Sequence, residues 1–333
     1  MAPARVGRVG SRGGWAGCLA LLFGAAGFVG AAQADETPLL TEALAPGVFH
    51  VTGHQAAWGP NFHGHVANLG FVIGSRCIAV IDSGGSATVG RALLASVRQR
   101  SALPICYVIN THPHPDHVLG NLVFAEANAA ADGDKAAPMF VGHARLRASL
   151  AARAPFYLNA LRRDFETADH TPSVPLPTLA VSDRLELDLG DRVLELRAWP
   201  TAHTDSDLTV RDRTSATLWL GDLLFVGHLP VLDGNLKGWL AVLQSLKREA
   251  AQRLVPGHGA VQAPGAAAFD ATERYLTQLQ SDVGAAIDEG LTLSQTVARL
   301  GNPPESHLAG WLLIEAFHRR NITTAYAELE WSK

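Results

Sequence analysis

The hydrophobic pattern of the chain changes period several times, and each change marks an element. Apolar runs at residues 48–52, 68–73 and 77–81 predict the first strands. Between the first two lies the long loop 54–66, which carries Trp58, Phe62, His63 and His65. A loop of that length with large rings reads either as a lid over a pocket or as a surface loop packed on the sheet. The third strand ends in Asp82-Ser83-Gly84-Gly85-Ser86, where Ser86 or Thr88 can cap a helix to about residue 98. The apolar run 105–109 follows as a buried strand. Strand, helix and strand in this order predict a parallel β-α-β unit with its functional loop at the carboxyl end of the second strand.

Further along, residues 138–142 read as a strand, and 144–152 and 156–165 as helices. Three prolines within 171–177 predict an extended connection. Residues 178–181, 184–188 and 192–199 then form strands, the last two alternating apolar and polar positions around a turn at Gly190-Asp191, as an antiparallel meander with one wet face does. Residues 208–211 and 216–220 continue that sheet, and helical patterns at 236–251, 266–289 and 307–330 finish the chain.

Composition changes this picture mainly at the start. Of 333 residues 47% are apolar and 17% charged, an ordinary globular mixture with enough length for a sizeable core. In the first 34 residues, however, Arg5, Arg8 and Arg12 precede an apolar run from Trp15 to Val29, and Ala32-Gln33-Ala34 precedes Asp35. That is the layout of a secretory signal peptide cleaved after Ala34, leaving residues 35–333 as the working domain, with no stable membrane insertion after cleavage. The mature part keeps 24 Lys and Arg against 31 Asp and Glu, a net charge of −7, which does not suggest a nucleic acid as partner. Only Cys77 and Cys106 remain in it, outside any metal-ligand spacing and each in a core strand. They read as two buried thiols, with a disulfide between neighbouring strands as the alternative in an oxidising compartment.

The candidate chemistry is concentrated in Asn110-Thr111-His112-Pro113-His114-Pro115-Asp116-His117. Each proline favours extended geometry in the residue before it, so His112 and His114 project to one side. Asp116 is placed to cap a helix over 118–126, with His117 in its first turn. Nitrogen and oxygen donors thus converge where a strand hands over to a helix, as zinc requires. Three more candidates follow apolar strands in Gly-, Pro- or Thr-containing turns: His203 in Thr201-Ala202-His203-Thr204-Asp205, Asp222 in Leu220-Gly221-Asp222, and His258 in Val255-Pro256-Gly257-His258-Gly259. Five neutral imidazoles and two carboxylates can hold two divalent ions about 3.5 Å apart, sharing a water that becomes hydroxide near neutral pH.

In this order, these motifs resemble the metallo-β-lactamase superfamily over nearly all of the mature chain. The resemblance implies an αββα sandwich, two mixed sheets face to face with helices outside, extended by C-terminal helices. It implies that His112, His114 and His203 hold a first metal, that Asp116, His117 and His258 hold a second, and that Asp222 bridges them. Asp82 would orient the histidine loop without being a ligand. Two Zn2+ are implied, with iron or manganese as alternatives. The hydroxide would attack a small ester, thioester, lactone or amide-like substrate, with Asp116 orienting it or handling its proton. Asp222 stands where zinc β-lactamases usually carry Cys or Ser, and Phe225 where the Cys-type enzymes have Lys. The site is therefore closer to a glyoxalase II-like arrangement than to a β-lactamase.

Residues 77–86, 201–210 and 233–240 and the tail 320–331 are similar to the exported quinoprotein relay system zinc metallohydrolases, related to the SoxH group. That similarity implies a periplasmic protein near pyrroloquinoline quinone-dependent dehydrogenases, with a quinoprotein dehydrogenase or its cytochrome as partner. Helix packing explains Asn321, Tyr326 and Trp331 as well as chemistry does. Two rival readings stand beside the hydrolase: a mononuclear iron enzyme of the persulfide dioxygenase kind, and a non-catalytic periplasmic protein that binds or delivers a quinone cofactor. His54, His63, His65, His143 and His228 read as loop or core residues rather than ligands. Lys237 reads as a turn lysine, or as an anchor for an anionic substrate at the pocket rim.

Overall fold

The computed structural model describes residues 37–127, 137–302 and 308–331. The predicted leader lies outside the described residues. In chain order the first half contains β1 (Glu42–Ala45), β2 (Val48–Val51), β3 (Leu69–Ile73), β4 (Ile78–Ile81), α1 (Ala87–Arg100), β5 (Ile105–Ile109), α2 (Pro115–Val118), α3 (Asn121–Ala127), β6 (Met139–His143), α4 (Leu146–Asp164) and β7 (Leu179–Val181). The second half contains β8 (Arg184–Asp188), β9 (Val193–Ala198), β10 (Leu208–Asp212), β11 (Thr217–Phe225), α5 (Leu236–Leu246), β12 (Arg253–His258), α6 (Asp270–Asp288), α7 (Leu293–Leu300) and α8 (Ile314–Glu330).

Strands β1 to β7 form one sheet in chain order, antiparallel up to β4 and parallel from β4 to β7. The other sheet runs β12-β11-β10-β9-β8, with β11 and β12 parallel and the rest antiparallel. Val72, Ala79, Ile81, Ile109 and Val141 from the first sheet interlock with Leu194, Leu196, Val210, Trp219 and Val255 from the second. The opposite face of the first sheet packs Phe71, Val80 and Val108 on Val89, Leu93 and Val97 of α1 and Phe124 of α3. The opposite face of the second packs Leu218, Leu220 and Leu254 on Trp239, Leu243, Leu276 and Ile322 from α5, α6 and α8. Strands buried on both faces explain the continuous apolar runs of β4 and β11. The architecture is the expected αββα sandwich.

Several expectations change in detail. Asp116 does not cap a helix: His114 holds that position, extended at φ −68° and ψ 150°, and α2 begins at Pro115 with Asp116 in its first turn. Proline at the first helical position needs no N–H, so the second His-Pro pair starts the helix earlier than the acidic residue suggests. The helices expected at 144–152 and 156–165 are one helix, α4, running through Pro155. Pro155 lies on the exposed face, where water can satisfy the carbonyl it leaves without a partner. β11 continues past residue 220 to Phe225, so Asp222 lies within a strand whose pairing to β12 shifts register around Gly221. β1 and α7 add to the expected elements. Only Leu44 of β1 is buried, too little apolar signal to mark a strand. α7 carries a legible capping box, Thr292 with Gln295.

The cysteines are bridged, against the expectation of two thiols. Ile78 pairs with Ile105 on the parallel neighbours β4 and β5, and the register shift after that pair brings Cys77 and Cys106 to a Cα separation of 5.8 Å, within disulfide range. The bridge closes a 29-residue separation between the two strands that carry Asp82 and the histidine loop. Chain entropy gives such a loop about 3–4 kcal/mol of stabilisation. Replacing both cysteines by alanine should remove about 3 kcal/mol, with guanidinium unfolding reporting the loss; an unchanged midpoint would show the bridge to be energetically idle.

Candidate metal centre

Six of the seven candidate donors come from the carboxyl ends of strands or the segments that follow them, and the seventh, Asp222, lies within β11 where its pairing shifts register. Asp82, the residue after β4, takes a left-handed backbone at φ 56°, which a short polar side chain tolerates. Its carboxylate accepts from the Thr111 N–H and Thr111 Oγ1, each at 2.8 Å, and meets His117 Nδ1 at 2.8 Å. Beneath the loop, Asn110 and Asn121 pair reciprocally and Ser83 Oγ donates to Asn121 Oδ1 at 2.7 Å. These buried bonds fix the loop between β5 and α2 before any ligand is considered. His203 is set by the loop after β9, where Asp207 accepts from the N–H and Oγ1 of Thr204. Burial pushes the Asp207 carboxyl up to about 8, against those hydrogen bonds.

His112, His114, His203 and Asp222 present one donor atom each within 4.8 Å of one another, and so do Asp116, His117 and His258. His203 Nε2 lies 3.0 Å from His114 Nδ1 and 3.4 Å from Asp222 Oδ2, and His112 Nε2 lies 3.5 Å from the same oxygen. On the other side His258 Nε2 stands 3.3 Å from Asp116 Oδ2, and His117 Nε2 stands 3.6 Å from it. Asp222 faces both groups, at 3.2 Å from His117 Nε2 and 3.4 Å from His258 Nε2.

The other nitrogen of each ring is held by protein. His112 Nδ1 meets Thr111 Oγ1, His114 Nε2 meets Asp233 Oδ2, His117 Nδ1 meets Asp82, His203 Nδ1 meets the Val231 carbonyl and His258 Nδ1 meets the Val66 carbonyl. Of the atoms that point inward, His203 Nε2 and His114 Nδ1 meet each other, but His112 Nε2, His117 Nε2 and Asp222 Oδ1 are buried without a hydrogen-bond partner. Buried polar atoms in native proteins have partners, and convergent lone pairs call for a cation.

Protonation in the metal-free protein follows the same geometry. Burial drives His112 well below its usual range, aided by His117, and drives His203 down to about 3. His117 and His258 go the other way. Burial opposes their charge, but Asp222 and Asp116 override it, raising His117 well above its ordinary value and His258 to about 9. Against burial, the same pairings hold Asp116 down at about 2 and Asp222 well below the carboxylate range. Protons on His117 and His258 thus balance the two carboxylates at the place where cations would sit. Imidazole and carboxylate donors without thiolate suit zinc and equally admit iron or manganese.

All seven candidate ligands meet here, and Asp82 takes the orienting position expected of it. The donors open on a cavity of about 470 Å³ whose walls include Trp58, Arg153, Tyr157, His228, Phe317 and Arg320. The 54–66 loop contributes Trp58, which packs on Phe165 and donates to the Gly85 carbonyl at 3.0 Å. His63 instead meets Asp169, and His54 stacks on Phe62. His143 accepts from the Arg145 N–H, away from the centre. Lys237, in the first turn of α5, is not among the cavity walls. His228 is the exception among the five set aside: its Nδ1 meets the Leu229 carbonyl, and its ring lies 4.5 Å from that of His258, at the cavity. Asp233, Arg153 and Arg320 went unnoticed as site residues, since only the folded loop after β11 brings them together.

The family model described as the Metallo-beta-lactamase superfamily matches residues 64–258. No curated protein matches the chain. Among solved structures, an inverting sec-alkylsulfatase, Pisa1 from Pseudomonas sp., aligns over 86% of this chain and 49% of its own with a TM-score of 0.61 at 15% identity. This chain therefore spans about half the length of that enzyme. A metallo-beta-lactamase from Pontibacter korlensis aligns over 72% of this chain and 99% of its own, TM-score 0.55 at 18% identity, and TMB-1 over 72% and 98%, TM-score 0.54 at 18%. At these identities the likeness is one of fold.

Two outcomes follow. A metal entering the second group must displace the His258 proton, whose charge favours the metal-free fold below about pH 6.5 and is lost as pH rises through about 9. Apparent metal affinity should therefore climb about tenfold per pH unit up to pH 9 for each proton released, and calorimetry in buffers of different ionisation enthalpy should count at least one proton. Asp82→Ala, which keeps all seven ligand residues but frees the Thr111 and His117 contacts that orient them, should weaken metal binding about 10- to 100-fold in a chelator competition.

Proposed function

The chain belongs to the metallo-beta-lactamase superfamily, and on that premise we propose that it is a dinuclear zinc hydrolase acting on a small ester, thioester, lactone or amide-like substrate. The observation that carries this reading is the set of inward-facing atoms left without partners, on rings whose outer nitrogens are all tied down. Divalent ions bound there would supply a water activated near neutral pH and a contact for charge developing on the substrate oxygen.

The protein's own side chains do the rest. His112, His114 and His203 would hold one ion, Asp116, His117 and His258 the other, and Asp222 faces both. Asp116 lines the cavity with its carboxylate held ionised, the state that can orient a water or accept its proton. Asp222 as the shared carboxylate supports the glyoxalase II-like reading. Phe225 speaks against a β-lactam as natural substrate: it is buried and stacked on His258 at 5.2 Å, with no charge to offer a carboxylate.

Export to the periplasm is part of the proposal. The Arg-led apolar leader supports it, and so does a disulfide, which persists in oxidising compartments. Membership of the quinoprotein relay group, with a quinoprotein dehydrogenase or cytochrome as partner, rests on the resembling stretches. Two of these meet in the fold: Glu328 accepts from the Lys237 N–H at 3.1 Å, and Asp233 Oδ1 accepts from Arg320 Nη2 at 2.9 Å.

Metal analysis of the mature protein should give two zinc per chain, falling to about one in His258→Ala, with turnover on a panel of esters, thioesters and lactones. One iron per chain with oxygen consumption, or quinone binding without turnover, would overturn the hydrolase. Asp116→Asn at full metal content should lower kcat about 100-fold or more; unchanged turnover would remove Asp116 from proton handling.

A further inference from the structure

The donor set explains what the centre would hold, not what enters the cavity above it. At the cavity mouth one carboxylate, Asp233, is shared by three groups. Its Oδ2 meets His114 Nε2 at 3.1 Å and accepts from Arg153 Nη2 at 2.9 Å, and its Oδ1 accepts from Arg320 Nη2 at 2.9 Å. Two guanidinium groups thus meet one carboxylate at the cavity wall, with Asp205 behind Arg153 through Ser149, so Arg320 is the arginine whose charge is least committed.

The two arginines are not equivalent. Arg153 also donates to Ser149 Oγ at 2.8 Å and is part-buried against α4. Arg320, on α8, is 53% exposed, and among the described residues its guanidinium makes one hydrogen bond, the one to Asp233. Its remaining N–H donors are available at the cavity, in the planar fork that suits a carboxylate. The walls between mouth and donors are aromatic: Trp58, Phe156, Tyr157 and Phe317. Phe156 is 68% exposed and adds an apolar face to the cavity wall. Arginine N–H donors beside His114, aromatic walls, and the donors Asp116, Asp222 and His258 in one cavity describe a ligand that joins a carboxylate to an apolar body.

We propose that the cavity takes a carboxylate-bearing ester or thioester with an aromatic or branched apolar body, and that Arg320, braced by Asp233 beside Arg153, selects the carboxylate. This rests on the hydrolase reading and narrows its substrate class. Water is consumed and the acyl–oxygen or acyl–sulfur bond breaks, giving an acid and an alcohol or thiol without any oxidant.

The test compares the metal-loaded full chain with Arg320→Ala and Arg320→Lys. Calorimetry with 4-phenylbutyrate and its neutral amide reads binding, and steady-state kinetics read the 4-nitrophenyl monoester of glutaric acid against the same ester with its free carboxyl methylated. Arg320→Ala, at unchanged metal content, should weaken 4-phenylbutyrate binding and raise KM for the acidic ester about tenfold, and Arg320→Lys should restore part of both. The preference for the acidic over the methylated ester in kcat/KM, and for 4-phenylbutyrate over its amide in affinity, should fall about tenfold, whatever the variant costs both members of each pair through Asp233 and His114. Equal losses for charged and neutral probes, or none for either, would overturn the selection. If neither ester is turned over, the hydrolase reading fails by itself, and the calorimetric comparison still decides whether Arg320 recognises a carboxylate.

Discussion

One carboxylate, Asp222, has the inward nitrogens of four imidazoles within 3.5 Å, and the rest of the structure accommodates that crowding. Such an approach is possible only because β11 breaks its regular pairing with β12 at Gly221, which sits at φ 50° against Thr111. It also needs Gly257 opposite, since a Cβ there would run into Asp222 Oδ1. The glycines before Asp222 and before His258 are thus space requirements of the centre and not loop punctuation. Around them, Asp82, Thr111 and the Val66 and Val231 carbonyls fix the rings from outside, so the inner atoms have nowhere else to turn.

Electrostatics sharpens the point. Two buried carboxylates that face the same imidazoles would each disfavour the other's charge, and positive charge on those rings offsets the repulsion. The carboxylates raise the affinity of His117 and His258, the two rings facing both of them, for a proton, while burial lowers that of His112 and His203. The division between protonated and neutral rings follows the distribution of acids and not ring burial, since all four are buried.

Much of this was legible in the sequence. The histidine motif and the candidates His203, Asp222 and His258 stand out as short polar motifs after apolar runs, while their joint assignment and the αββα order come from the family resemblance that those motifs carry. What escaped depended on contacts remote in sequence. The Cys77–Cys106 bridge needed the register of β4 against β5, which hydrophobic pattern does not give. Asp116 looked like a cap because acidic residues often are, yet proline at 115 had already begun the helix. Asp233 acquires its role only when α4 and α8 bring Arg153 and Arg320 to it from 80 and 87 residues away. No local signal carries such a meeting.

The last helix therefore has two jobs that are adjacent in sequence. Asn321 is buried and holds the loop that bears Asp233, while Arg320, one position earlier, faces the opening. On the proposed reading the chemistry belongs to the two sheets and the choice of guest to α8. Change at Arg320 then alters what the scaffold accepts and reaches His114 only through Asp233, whereas change at Asn321 loosens the loop that bears Asp233 itself. Neighbouring codons in one helix thus separate evolvable variety from structural necessity.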